Sequence, residues 1–95
     1  MSKFVRKSFT YEIQADDTAE AISATSLGCN DFTIQSDVNN SNPIYVGDSA
    51  VNSDGYPLEA SWTISSSSPA NLADMYVMGK DGEKVRVFYT QSLIG

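Results

Sequence analysis

The sequence contains no histidine and a single cysteine among its 95 residues. The first absence removes Ser-His-Asp and Cys-His catalysis together with most zinc sites. The second leaves Cys29 without an internal disulfide partner, which fits folding in a reducing compartment. Cys29 follows Gly28 and has no basic neighbour to lower its pKa, so it reads as a small buried hydrophobe, not a reactive thiolate. Basic residues are scarce as well. Lys3, Arg6 and Lys7 open the chain, Lys80, Lys84 and Arg86 stand near its end, and none lies between Ser8 and Gly79. Against twelve acids these six bases leave a net charge of −6, which phosphate would repel, so nucleic-acid binding is not expected. No apolar run approaches the length of a bilayer span, and no apolar segment follows the basic N-terminus. Neither a membrane span nor a secretory signal is predicted. With no glycine-rich phosphate loop, no dinucleotide fingerprint and no nucleophile–base pair, neither a cofactor nor an enzymatic activity is expected.

What is present is strand pattern. From Lys3 to Gln14, Val5, Phe9, Tyr11 and Ile13 share one face, Lys7 excepted. Arg6, Ser8, Thr10, Glu12 and Gln14 share the other, so the period of two predicts a strand with one wet face. Asp16-Asp17-Thr18 marks a turn. Residues 19–26 read either as a short helix capped by Asp17 or Thr18, or as an edge strand through Ile22, and the second is preferred. Phe32 to Gln35, Ile44 to Val46, Ser61 to Ser65, Leu72 to Met78 and Val85 to Tyr89 complete the strands. Trp62 and Ile64 are expected to point inward. Asp81-Gly82 between two apolar runs predicts a hairpin. The last strand places Val85, Val87 and Tyr89 on one face and Arg86 and Phe88 on the other. Short strands without a convincing helix predict an all-β fold: residues 1–95 form a single-domain β-sandwich, jelly-roll-like, of short antiparallel strands, with residues 1–7 as an N-terminal arm.

The chain is organised around the stretch from Asn42 to Leu58, which starts as a strand and breaks into a loop punctuated by Gly47-Asp48, Asn52, Asp54-Gly55 and Pro57. Strands before it read as one group and strands after it as another. A loop of this length is a functional surface or a compact lobe. Asp48, Asn52, Asp54 and Glu59 offer the hard oxygen ligands that calcium requires, but the EF-hand register fails. With Gly55 at the glycine position the first ligand is Ala50, and with Asp48 first the glycine position is Ser53. An irregular calcium site stays open, beside the simpler reading that Asp and Asn build turns. Tyr56, held between Gly55 and Pro57, reads as a rigid contact residue, the alternative being an aromatic that folds back to cap the sandwich. Asp54, Gly55, Tyr56 and Pro57 are therefore candidate partner-binding residues. Lys3, Arg6 and Lys7 join them as a basic arm that would pair with acids of a neighbouring molecule.

The segments Pro43-Ile44-Tyr45-Val46-Gly47-Asp48-Ser49-Ala50-Val51, Gly55-Tyr56-Pro57-Leu58, Asn71 to Val77 and Val85-Arg86-Val87-Phe88-Tyr89 resemble small virion proteins of tailed bacteriophages. The chain departs from that pattern at Glu59-Ala60, where a Pro-Gly-type turn often follows Pro-Leu. The resemblance implies a non-enzymatic structural protein assembled in the host cytoplasm. It would be located in the virion, binding its own copies and the phage major capsid protein or another virion protein. The acidity and small size favour the capsid exterior, as a decoration or cement unit closing as a trimer or another cyclic oligomer. A tail, connector or fibre-associated structural protein is the alternative, as is a free carbohydrate- or peptide-binding β-sandwich module.

Overall fold

A computed structural model of the chain describes residues 4–92. Its elements in order are β1 (Phe4–Glu12), β2 (Glu20–Ala21), β3 (Gly28–Cys29), β4 (Asp31–Ser36), β5 (Ile44–Gly47), β6 (Tyr56–Leu58), β7 (Thr63–Ser66), β8 (Ala70–Asn71), a 3₁₀ turn (Leu72–Asp74), β9 (Tyr76–Met78) and β10 (Lys84–Ser92). A front sheet has the order β1-β10-β4-β7 and a back sheet the order β2-β9-β5-β6, while β3 and β8 form a separate two-stranded piece. Every pairing is antiparallel.

The pairing is nested. The first strand pairs with the tenth, the second with the ninth, the third with the eighth, the fourth with the seventh and the fifth with the sixth. The chain is thus one long hairpin, doubled at the loop between β5 and β6 and then rolled up. The ladders β10·β4 and β9·β5 hold the roll closed. Setting aside the small β3·β8 piece, this is the eight-stranded order of a jelly roll, with four strands in each of two packed antiparallel sheets. The strands before and after the central loop are therefore not two groups, since each sheet takes two from either side.

Alternation places the core between the sheets. Ile34, Val85 and Val87 of the front sheet and Ile44, Leu58 and Val77 of the back sheet are fully buried, joined by Ile13, Ile22 and Leu72 from the connections. Phe9 of β1 meets Tyr89 of β10 edge to face, with ring centroids 5.8 Å apart. Cys29 is buried in this core, and burial pushes its thiol pKa up. Residues 19–26 carry an edge strand, β2, and no helix.

Three local expectations are corrected. The Asp81-Gly82 turn does not close a hairpin, because β9 and β10 belong to different sheets. Gly82 takes a positive φ of 88°, as the turn chemistry requires, but its N–H donates to the Ile13 carbonyl, and the Ile13 N–H donates to Glu83 O. The turn is a corner that leans on the end of β1. Trp62 does not point inward and is 55% exposed. Ser61 adopts a positive φ of 68° and the Trp62 N–H closes a turn onto Glu59 O, so β7 begins only at Thr63. Finally, the expected strand from Leu72 starts later: Asn71 caps a 3₁₀ turn there by accepting the Ala73 N–H, and β9 begins at Tyr76.

Candidate functional site

The tip of the long hairpin is built from two successive Asx turns. Asp48 accepts the Ala50 N–H on Oδ1 at 2.9 Å while the Val51 N–H donates to its carbonyl, also at 2.9 Å. Asn52 repeats the device four residues on, accepting the Asp54 N–H on Oδ1 at 2.8 Å and the Gly55 N–H on its carbonyl at 2.8 Å. Val51, between the two turns, tucks against the backbone at Gly47 and Gly55. A Cβ at Gly55 would lie 2.6 Å from Val51 Cγ2 and 3.1 Å from the Asn52 carbonyl oxygen, so glycine is required for this close approach. Of the four side chains considered for calcium, Asp48 and Asn52 thus spend an oxygen on the turns. Among the described residues no three His, Cys, Asp or Glu side chains gather as a metal cluster.

Beyond the tip, Tyr56 and Pro57 open β6, and Tyr56 is 56% exposed. The ring therefore does not fold back into the sandwich as a cap. Of the basic arm, Lys3 lies outside the described residues. Arg6 and Lys7 are exposed on β1, the edge strand of the front sheet. The Tyr11 hydroxyl of β1 donates to Glu20 of β2, which fixes these two edge strands on one side of the sandwich. Only four residues link β6 to β7, the edge strands of the other side. The structure therefore sets Arg6 and Lys7 on one edge and Asp54, Gly55, Tyr56 and Pro57 on the opposite one. The two predicted groups do not form a single site.

A third surface was not singled out from the sequence: the outer face of the front sheet. Register lines up Ser8, Phe88, Thr33 and Ser65 in one row across the four strands. Thr10, Arg86, Gln35 and Thr63 form the next row. Phe88 is 47% exposed at the middle of this face, and a shallow cavity of about 520 Å³ lies over the two rows. The polar groups are held in place from below and from the side. Arg86 Nη2 contacts Asp37 Oδ2 at 3.2 Å, and Asp37 is only 4% exposed. The Asn39 N–H, above all, and then the Arg86 guanidinium hold the Asp37 carboxyl below its usual range against the opposing pull of desolvation. Gln35 donates Nε2–H to the Ser61 carbonyl at 3.2 Å, and the Thr33 and Ser65 hydroxyls are hydrogen-bonded at 2.9 Å. The sequence signal was an aromatic, Phe88, on the polar face of an alternating strand.

Two further carboxylates organise the connections. Glu20 accepts the Tyr11 hydroxyl at 2.5 Å and the N–H groups of Gln14 and Ala15 at 3.0 and 3.1 Å. Burial first, and then the hydrogen bond to this carboxylate, push the Tyr11 pKa up to about 12. Glu83 Oε2 accepts the N–H groups of Ser41 and Asn42, at 2.6 and 3.0 Å, and ties the β4–β5 connection to the β9–β10 corner. Among the described residues no helix is long and apolar enough to cross a membrane. Comparison of the chain with protein-family models, with curated proteins and with solved structures finds no match.

Proposed function

We propose that the chain is a non-enzymatic structural protein of a tailed-bacteriophage virion, decorating or cementing the capsid exterior through protein–protein contacts. The observation that carries this reading is a coincidence of motif and topology. The segments that resemble tailed-phage virion proteins fall on β5, β6, β9 and β10 of a jelly roll, an architecture that viral capsid domains use, as lectins and cupins also do. The step from architecture to role is an analogy of fold. The hairpin tip supports it from the chemistry. Its backbone is fixed by two Asx turns, and it presents Tyr56 as a rigid aromatic that loses little entropy on contact. In this reading the tip faces the capsid or the next copy of a cyclic oligomer, a trimer by preference, and Arg6 and Lys7 pair with acids of a neighbour across the other edge.

Quantitative mass spectrometry of purified particles tests the proposal. Copy numbers on the order of hundreds are expected for a shell-covering unit. A small ring's worth of copies would move the protein to the connector or tail, and its absence from particles would overturn the virion reading.

A further inference from the structure

The outer face of the front sheet has a chemistry that differs from the rest of the molecule. The chain carries a net charge of −6, yet on this face cations and carboxylates balance. Arg86 is held by Asp37, Lys84 stands directly across from Glu12, and Arg6 shares a row with Asp31. A balanced patch neither attracts a polyanion nor repels one over distance, so what it recognises must be read from shape and hydrogen bonding.

Those features point one way. Phe88 supplies a half-exposed apolar ring at the centre. Two residues along the same strand, about 7 Å away by strand geometry, Arg86 supplies N–H donors whose direction is set by a buried carboxylate. A guanidinium has five such donors, and the ion pair with Asp37 engages the Nη2 end. Next to Arg86 in register, Gln35 donates one amide N–H to the Ser61 carbonyl, which anchors the amide and leaves Oε1 free to accept. A fixed donor beside a fixed acceptor matches a hydroxyl group, which gives and takes one hydrogen bond at once. A pyranose ring combines such hydroxyls with an apolar C–H face that lies flat on an aromatic. A cavity of about 520 Å³ accommodates one or two such rings.

We propose that this face is a binding platform for a neutral saccharide, with Phe88 as the stacking surface and Arg86 and Gln35 as the hydroxyl-reading pair. Asp37 is a positioning residue: it holds the guanidinium and does not itself meet the sugar. The proposal does not depend on the virion assignment. A glycan-reading face is useful to any protein that meets a cell surface, and particle composition says nothing for or against it.

The test is a glycan array with neutral and anionic members, probed with the full chain and with Phe88→Ala. Amide chemical-shift titration with the best-retained neutral glycan follows. The expected result is retention of a neutral glycan, with dissociation constants in the millimolar to micromolar range typical of shallow sites, of order 1 mM to 1 μM. The shifts should map to Thr33, Gln35, Arg86 and Phe88. Phe88→Ala should weaken binding at least about tenfold, near 1.4 kcal/mol. Phe88→Trp should retain it, Arg86→Lys should weaken it, and raising the salt should leave it unchanged. Folding of each variant is checked from the unshifted amides of the buried Ile44, Leu58 and Val77 of the back sheet. Absence of any neutral glycan that distinguishes the chain from Phe88→Ala would overturn the proposal. Binding confined to anionic glycans or acidic peptides and lost with salt would overturn it too. So would shifts that map to Tyr56 and the hairpin tip, or light scattering showing a second copy seated on this face and released by Phe88→Ala.

Discussion

Asn40 stands in for a strand residue beside Lys84. Its Oδ1 accepts the Lys84 N–H at 3.0 Å and its Nδ2 donates to the Lys84 carbonyl at 2.8 Å, so one side-chain amide reproduces both bonds of an antiparallel pair. The same Nδ2 also donates to Ser36 Oγ at 2.9 Å. The Lys84 carbonyl also accepts the Asp37 N–H at 3.1 Å, so the Asn40 side chain completes the ladder between β4 and β10 just past the end of β4. Removing this amide takes the protein partner from the Lys84 N–H, while the Lys84 carbonyl keeps the Asp37 N–H. Asn40→Ala is expected to destabilise the domain by about 0.5–1.5 kcal/mol, measured by urea unfolding. Asn40→Asp, which loses the donor and keeps the acceptor, should fall between Asn40→Ala and the native protein.

The Tyr11–Glu20 contact predicts behaviour at alkaline pH. The Tyr11 pKa is raised to about 12 from its ordinary value of 10.0, so the folded state favours the neutral phenol. The associated stabilisation is fully present below the ordinary tyrosine pKa and is lost as pH rises through the raised value near 12. In an ultraviolet difference titration Tyr11→Phe should abolish a late tyrosine component. Its stability deficit against the native protein should shrink as pH climbs above 10, the ordinary tyrosine value.

Asp37 carries the opposite sign. Its carboxyl is held below the ordinary 3.8, first by the Asn39 N–H, so the stabilisation it provides is present above that value and is lost as pH falls through the depressed one. The gap in melting temperature between Asp37→Asn and the native protein should therefore be wide at neutral pH and close in acid. A gap that stays constant down to acid pH would mean that Asp37 acts by shape alone.

At the hairpin tip two neighbouring substitutions should behave differently. Gly55→Ala puts a methyl 2.6 Å from Val51 Cγ2 and against two carbonyl oxygens, and should cost about 1–3 kcal/mol as overpacking. Tyr56→Ala removes an exposed ring and should change stability by no more than about 0.5 kcal/mol. On the proposed function, Tyr56→Ala should still lower occupancy on particles or oligomerisation in light scattering. If particle binding per folded molecule is untouched, the tip is not the partner surface.

The elements that could be read from the sequence are those whose pattern is carried by their own residues. β1 and β10 alternate so regularly that the inward placement of Phe9, Tyr11, Val85, Val87 and Tyr89 follows from period alone, and the structure has it so. What could not be read locally was which strand meets which. Asp81-Gly82 supplies the turn that a hairpin needs, but a sandwich corner needs the same turn, and only the partners of β9 and β10 tell the two apart. Trp62 was misplaced because alternation was carried two residues too far back, to Ser61 in the left-handed region. The face built around Phe88 and Arg86 draws its other half from β1, β4 and β7, so it comes into being only when the register of four strands is known. Its one local clue was the aromatic among polar neighbours.

The nested pairing has a consequence for how the chain reaches its fold. Only β5 and β6 can find each other across a short loop. Every other pair, up to β1 with β10, must close a longer one, at an entropic cost that grows with separation. Once the innermost pair has formed, the loop left for each outer pair is shortened to the connections between successive strands. Assembly from the tip outward thus replaces one large closure by a series of small ones. The two Asx turns and the Val51 contact then act as the starting point of a zipper, and the long β1·β10 ladder is the last to seal. A domain so dominated by distant partners folds slowly for its size. A defect at the tip slows folding, whereas a defect in β1 chiefly hastens unfolding.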